Sequence, residues 1–237
     1  MKKNPIIVFE GLDRVGKGSH ISALTKILEE LDVNYLTFHC EGPDSKIATS
    51  TQERIYYQLF TFYNQLKCIN SIQKTPIIFD RSFFGETVWS KYYNRQLKEE
   101  LCQYDINTQY LGYVTESIMN TDVYKELQDR MIVVFLDGDE NIVAQRIKES
   151  EEDTRVYTKF CCYNIEKNVK FIKNEFNKLY NILSNKGLKT LKLQSNTLSD
   201  IDNNVNIIIN EVKEELFRWL MKNLKMFIHL MMLEQKS

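Results

Sequence analysis

Residues 9–19 read Phe9-Glu10-Gly11-Leu12-Asp13-Arg14-Val15-Gly16-Lys17-Gly18-Ser19. Gly11, Gly16 and Lys17 fit the spacing G-x-x-x-x-G-K, preceded by a short apolar strand and followed by a helical pattern. In that order the chemistry is phosphate binding. The glycines let the backbone turn tightly and point successive N–H groups inward, through Leu12, Asp13, Arg14 and Val15. The helix N-terminus adds its dipole, and Lys17 reaches the outer phosphates of a nucleoside triphosphate. One position departs from the usual pattern: the residue after the lysine is Gly18, and the hydroxyl that would touch Mg²⁺ arrives one place later on Ser19. A second group, Asp80-Arg81-Ser82, closes the apolar run Ile77-Ile78-Phe79. A guanidinium fork matches phosphate oxygens, and strand ends carry the sites of doubly wound sheets. An ordinary surface ion pair at a strand end is the plainer alternative for Asp80-Arg81.

Positioning these groups requires alternating strands and helices. Strands are predicted at Pro5–Glu10, Asn34–His39, Pro76–Asp80, Met131–Asp137 and Thr190–Leu193. The helices between and after them are predicted at about 17–31, 46–73, 83–103, 107–128, 139–149, 157–185 and 200–226. Ile77-Ile78-Phe79 and Ile132-Val133-Val134-Phe135-Leu136 are apolar without alternation, as strands covered on both faces are. Ile165, Val169, Ile172, Phe176, Leu179, Ile182 and Leu183 repeat at helical spacing. The alternation implies βαβ units and a mainly parallel sheet. The chain has eight Gly and three Pro, so little of it is linker-like.

Bulk properties exclude several classes. Lys+Arg (31) nearly cancel Asp+Glu (32), so no overall field recruits nucleic acid or an anionic membrane. No stretch of about 18 apolar residues exists for a transmembrane helix, and the first apolar run is too short for a signal sequence. Cys40, Cys68, Cys102, Cys161 and Cys162 are odd in number and lack a Cys-x-x-Cys pair. They are expected to be reduced thiols in a cytoplasmic protein, with no metal role. His20, His39 and His229 show no ligand spacing and are expected to be structural. A guanine reader of the Asn-Lys-x-Asp type is missing, since Asn185-Lys186-Gly187-Leu188 lacks the Asp.

The run Phe-Glu-Gly-Leu-Asp-Arg-x-Gly-Lys at 9–17 closely resembles thymidylate kinase. The pair Asp13-Arg14 is what separates that family from other phosphate loops. Over about residues 5–210, the resemblance implies a three-layer α/β P-loop kinase fold. Its central, mainly parallel five-stranded sheet is flanked by helices. It implies ATP and Mg²⁺ as cofactors, a nucleoside monophosphate as substrate, and a homodimer. Arg14 would support phosphoryl transfer and Asp13 would lie near the acceptor. Asp80-Arg81-Ser82 resembles both the family's Asp-Arg-Tyr motif and the Glu-Arg-Ser motif of deoxynucleoside kinases. There Arg81 would clamp substrate phosphate and Asp80, with Ser19, would sit near the metal. Glu152-Asp153-Thr154-Arg155-Val156-Tyr157 stands where the family has its mobile lid, at about 146–160. Tyr157 would contact the nucleotide and Arg155 a phosphate, although any charged surface loop looks the same.

The sequence departs from the family in places. Cys40-Glu41-Gly42-Pro43 replaces Arg-Glu-Pro-Gly-Gly, so a thiol stands where an arginine would touch the acceptor phosphate. The helix that would carry Phe-x-x-x-Arg reads Leu59-Phe60-Thr61-Phe62-Tyr63-Asn64-Gln65-Leu66. Phe60 is the candidate stacking ring and Asn64 or Gln65 the candidate base reader; the plainer alternative is that the aromatics are core. These differences leave a second reading open, a deoxynucleoside kinase with Glu41 as the base for a sugar hydroxyl. A nucleotide binder without activity is the third. Arg14, Arg54 and Arg81 could hold an acceptor phosphate, and Asp13-Arg14 tips the expectation to ATP:dTMP phosphotransfer. A kinase domain is expected over 1–215, with a helical extension over 216–237 that is expected to pack on the core or a dimer partner; contact with a membrane surface is the alternative.

Overall fold

The unalternating apolar runs become the middle of the sheet. In the computed structural model, which describes residues 4–40, 51–98, 111–150 and 164–213, β1 (Ile6–Gly11) is buried along its whole length. It lies between β3 (Ile77–Asp80) and β4 (Met131–Asp137), pairing parallel with each. β2 (Leu36–His39) and β5 (Lys189–Gln194) take the two edges and are far more exposed. The order is β2-β3-β1-β4-β5 and every pairing is parallel. Phe9 is in register with both Asp80 and Val134, so the loops after β1, β3 and β4 leave the sheet at one edge. The chain fills one side of β1 first and then crosses to the other, which opens a crevice at the carboxyl ends of the strands.

Helices flank this sheet. They are α1 (Lys17–Glu30), α2 (Thr51–Ser71), α3 (Glu86–Lys98), α4 (Leu111–Met119), α5 (Asp122–Leu127), α6 (Glu140–Glu149), α7 (Ile165–Asn185) and α8, which runs through 198–213 of the described residues. α7 buries Ile165, Val169, Ile172, Phe176, Leu179 and Leu183, the predicted stripe. Each such side chain contributes about 1.5–3 kcal/mol. Ile182 falls outside the stripe and is 45% exposed. The helix predicted over 107–128 is broken among the described residues: Thr121 leaves helical geometry and its hydroxyl accepts from the Tyr124 amide at 3.3 Å, starting α5 afresh. Asp139 caps α6 in the same way, accepting from the Asn141 and Ile142 amides. α2 turns Phe62, Leu66 and Ile69 into the core, whereas Phe60 is 71% exposed. The core alternative for Phe60 is therefore corrected, because it lies on the face of α2 opposite Phe62.

Glu41, the part of the predicted lid from 151 to 160 with Arg155 and Tyr157, and the extension 216–237 lie outside the described residues, as does the Arg54 side chain.

Candidate active site

The loop after β1 has the shape the sequence asks for. Gly11 (φ 139°) and Gly16 (φ 102°) adopt backbone angles that favour glycine. At Gly11 a Cβ would come within 2.7 Å of the Leu136 carbonyl oxygen. No side chain caps the first amides of α1, which leaves them available to an anion. Lys17 is buried and its Nζ donates to the Gly11 and Leu12 carbonyls at 3.1 and 2.7 Å. Burial, with the nearby Arg81 charge, lowers its pKa to about 8, so it remains largely cationic at neutral pH. Arg14 sits at φ 60°, a left-handed conformation that is costly for a residue with a Cβ.

Arg81 is left-handed as well, at φ 67°. Its conformation is fixed from below. The Arg81 amide donates to the Phe9 carbonyl at 3.0 Å. The buried Glu10 carboxylate accepts from the Ser82 amide at 3.0 Å, the Ser82 hydroxyl at 2.7 Å and the Gly85 amide at 3.3 Å. Gly85 has no room for more, since a Cβ there would lie 2.8 Å from Glu10 Oε2. Burial raises the Glu10 pKa to about 7, against the Ser82 hydrogen bond. Held this way, the Arg81 guanidinium forms an ion pair with Asp13 of the phosphate loop and lies 5.9 Å from the Trp89 ring centre. Residues 68 apart in sequence thus meet at the carboxyl edge of the sheet.

A cleft of about 800 Å³ opens on this pair. Asp13, Arg14, Gly16, Lys17, Gly18 and Ser19 form its floor. At the β2–β3 end, His39 Nδ1 and Asp80 Oδ2 are 2.9 Å apart beside Arg81. At the other end, Arg146, Ser195, Asn196, Thr197 and Leu198 form a wall. The structure therefore brings together Asp13, Arg14, Lys17, Ser19, Asp80 and Arg81. It does not bring in Phe60 or Asn64, which are exposed on α2; the Asn64 amide donates to the Phe60 carbonyl at 2.8 Å. Two polar α2 side chains also turn inward: Gln58, whose amide donates to Glu86 at 2.8 Å, and Gln65, 3.5 Å from Cys40 Sγ. Burial raises the Glu86 pKa to about 7 and pushes the Cys40 thiol upward, so Cys40 is neutral. His39, expected to be structural, lines the cleft. The wall at 195–198 was also missed, although its place directly after a strand was a usable signal.

The site suits a hard cation held jointly with phosphate. Asp13 Oδ2 and Asp80 Oδ1 are buried oxygens without a hydrogen-bond partner among the described residues, and Ser19 lines the same cleft as both residues. Among those residues no cluster of three His, Cys, Asp or Glu side chains could hold a metal unaided. Mg²⁺ usually completes its shell with water and substrate phosphates, so this donor set fits it.

No protein-family model and no curated protein matches the sequence. Solved structures do match. The fold is similar to thymidylate kinase from Candida albicans, with TM-score 0.61 and 17% identity over 89% of this chain and 93% of that one. It is similar to deoxyadenosine kinase from M. mycoides with bound dATP, with TM-score 0.56 and 16% identity over 88% and 99% of the two chains. A third similar structure is the YorR protein of Bacillus subtilis in complex with phosphorylated GDP, with TM-score 0.52 and 18% identity over 90% and 98%. The fold is that of the P-loop nucleotide kinases.

Proposed function

We propose that this protein transfers the γ-phosphoryl group of ATP to a nucleoside monophosphate, with dTMP as the preferred acceptor. The observation that carries this reading is the Asp13–Arg81 pair, which joins the phosphate loop to the end of β3 inside one cleft. Lys17 and the α1 amides hold the donor phosphates. Arg14 and Arg81 face negative charge that spreads over the transferring group, and in such reactions placed cations supply most of the catalysis. An oxygen of the acceptor phosphate forms the new bond to the γ-phosphorus as the bond to ADP breaks, with no proton to remove. Ser19 and Asp80 would hold Mg²⁺, which would supply positive charge to offset that of the donor phosphates. The fold shared with thymidylate kinase from Candida albicans supports the assignment. A cytoplasmic homodimer accompanies it; among the described residues no helix is long and apolar enough to cross a membrane.

A second reading, transfer to the 5′-hydroxyl of a deoxynucleoside, draws on a specific observation. Cys40 at the end of β2 is a neutral thiol bonded to Gln65, so that place gives an acceptor phosphate no cation. Glu41 would then serve as the base. A coupled ATP/Mg²⁺ assay against all nucleoside monophosphates and the matching nucleosides separates the two. Turnover on dTMP without thymidine is expected. Turnover on nucleosides alone overturns the monophosphate reading, and ATP binding with no turnover on either panel makes the protein a nucleotide binder.

A further inference from the structure

The wall at 195–201 is about 180 residues from the phosphate loop in sequence, yet three hydrogen-bonded ties join the two. Ser195 Oγ donates to the Val15 carbonyl at 2.6 Å. Arg146 donates to the carbonyls of Arg14 and Ser195 at 3.4 Å and of Asn196 at 2.7 Å. The third tie passes through His20, whose residue exposure is 0%. His20 Nδ1 is 2.8 Å from the Gly16 carbonyl, and its Nε2 is 3.0 Å from Asn204 Nδ2. Asn204 Nδ2 also donates to the Gln194 carbonyl at 2.6 Å. A carbonyl only accepts, so Nδ1 carries the proton; Nε2 then accepts from the Asn204 amide. Every polar atom of the imidazole is satisfied in one neutral tautomer, and burial favours that form. Asn204 lies on α8, which also carries the cleft residues Leu198 and Ile201.

We propose that His20 and Asn204 are positioning residues that set the spacing between the phosphate loop and the wall at 195–201, so that one nucleoside triphosphate engages both. The bridge lets the base end of the donor strengthen a grip that the triphosphate alone would obtain from Lys17 and the loop amides. Without it the loop still binds phosphate, but the wall no longer stands at the distance the nucleoside requires. The inference rests on the ATP-donor reading above and is independent of which acceptor is used.

The test compares ATP with inorganic tripolyphosphate by titration calorimetry on the full chain. The wild-type protein is expected to bind ATP more tightly than tripolyphosphate. His20→Ala and Asn204→Ala should each weaken ATP binding about tenfold, the effect of losing one buried hydrogen bond. Tripolyphosphate binding should stay within about twofold, and the double variant should be no worse than either single one, because both break one bridge. His20→Gln, which keeps one donor and one acceptor, should recover part of the ATP preference. If His20→Ala does not fold, Asn204→Ala and Asn204→Ser carry the comparison. Equal losses for both ligands, an unchanged ratio, additive losses, or a wild-type protein that does not prefer ATP each overturn the bridge. A wild-type protein that binds neither ligand overturns the donor reading itself.

Discussion

Glu10 and Lys17 show how burial tunes single groups in this site. The Glu10 carboxylate has an unfolded-state value of 4.5 and a folded value of about 7. Its folded pKa is raised, so its favourable contribution is complete below about pH 4.5 and is lost as pH rises through about 7. Glu10→Gln removes the ionisation and keeps an acceptor for the Ser82 and Gly85 donors. Its stability relative to wild type should therefore rise by about 3 kcal/mol between pH 4.5 and about 8. Urea unfolding across that range checks this, and a pH-independent difference would show that Glu10 does not titrate there. Lys17 has the opposite shift, to about 8. ATP affinity should fall above that pH in the wild-type protein and be both weak and pH-independent in Lys17→Met. The loss of kcat/KM in Lys17→Met should reach about a hundredfold or more.

At the scale of elements, the phosphate loop is shaped by what packs beneath it. Gly11 pairs with Leu136 across the β1–β4 ladder, and its missing Cβ makes room for that residue's carbonyl. Gly11→Ala should cost about 3 kcal/mol, since a backbone carbonyl must move and φ 139° suits only glycine. Gly18 is the opposite case. It lies in α1 with nothing within 4 Å of a built Cβ, so Gly18→Ala should stabilise the protein by up to about 1 kcal/mol through helix propensity. Thermal melts of the two variants should therefore move in opposite directions, and a matching loss in both would refute the packing argument.

Across the whole molecule, one buried tie lies at the end of the sheet opposite the cleft and bears on stability alone. Buried Arg130 precedes β4 and donates to the Asn4 carbonyl at 2.8 Å and the Ile72 carbonyl at 3.0 Å, tying the start of β1 to the end of α2. Arg130→Leu removes the donor that each carbonyl has there and should cost about 2–4 kcal/mol. Because the cleft is at the carboxyl ends of the strands, KM and kcat measured well below the melting temperature should stay near wild type. A selective change in KM for either substrate would show that the two ends are coupled.

The sequence determined the phosphate loop, the strand-end Asp80-Arg81 pair and the parallel α/β fold, because each rests on local spacing. Two glycines and a lysine require their neighbours within a few residues, and unbroken apolar runs declare strands covered on both faces. Helix α7 was legible for the same reason, its stripe repeating at 3.6 residues. Only the tertiary structure decided that Asp13 meets Arg81, that Glu10 holds the turn behind Arg81, and that Gln58 rather than Phe60 turns inward. It alone decided that His39 joins the cleft and that Ser195–Leu198 form its far wall. These depend on which strand ends become neighbours and on which face of a helix meets the sheet, and long-range packing sets both. His20 marks the boundary: its helix was evident from the sequence, but its partner Asn204, 184 residues away, was brought to it by the fold.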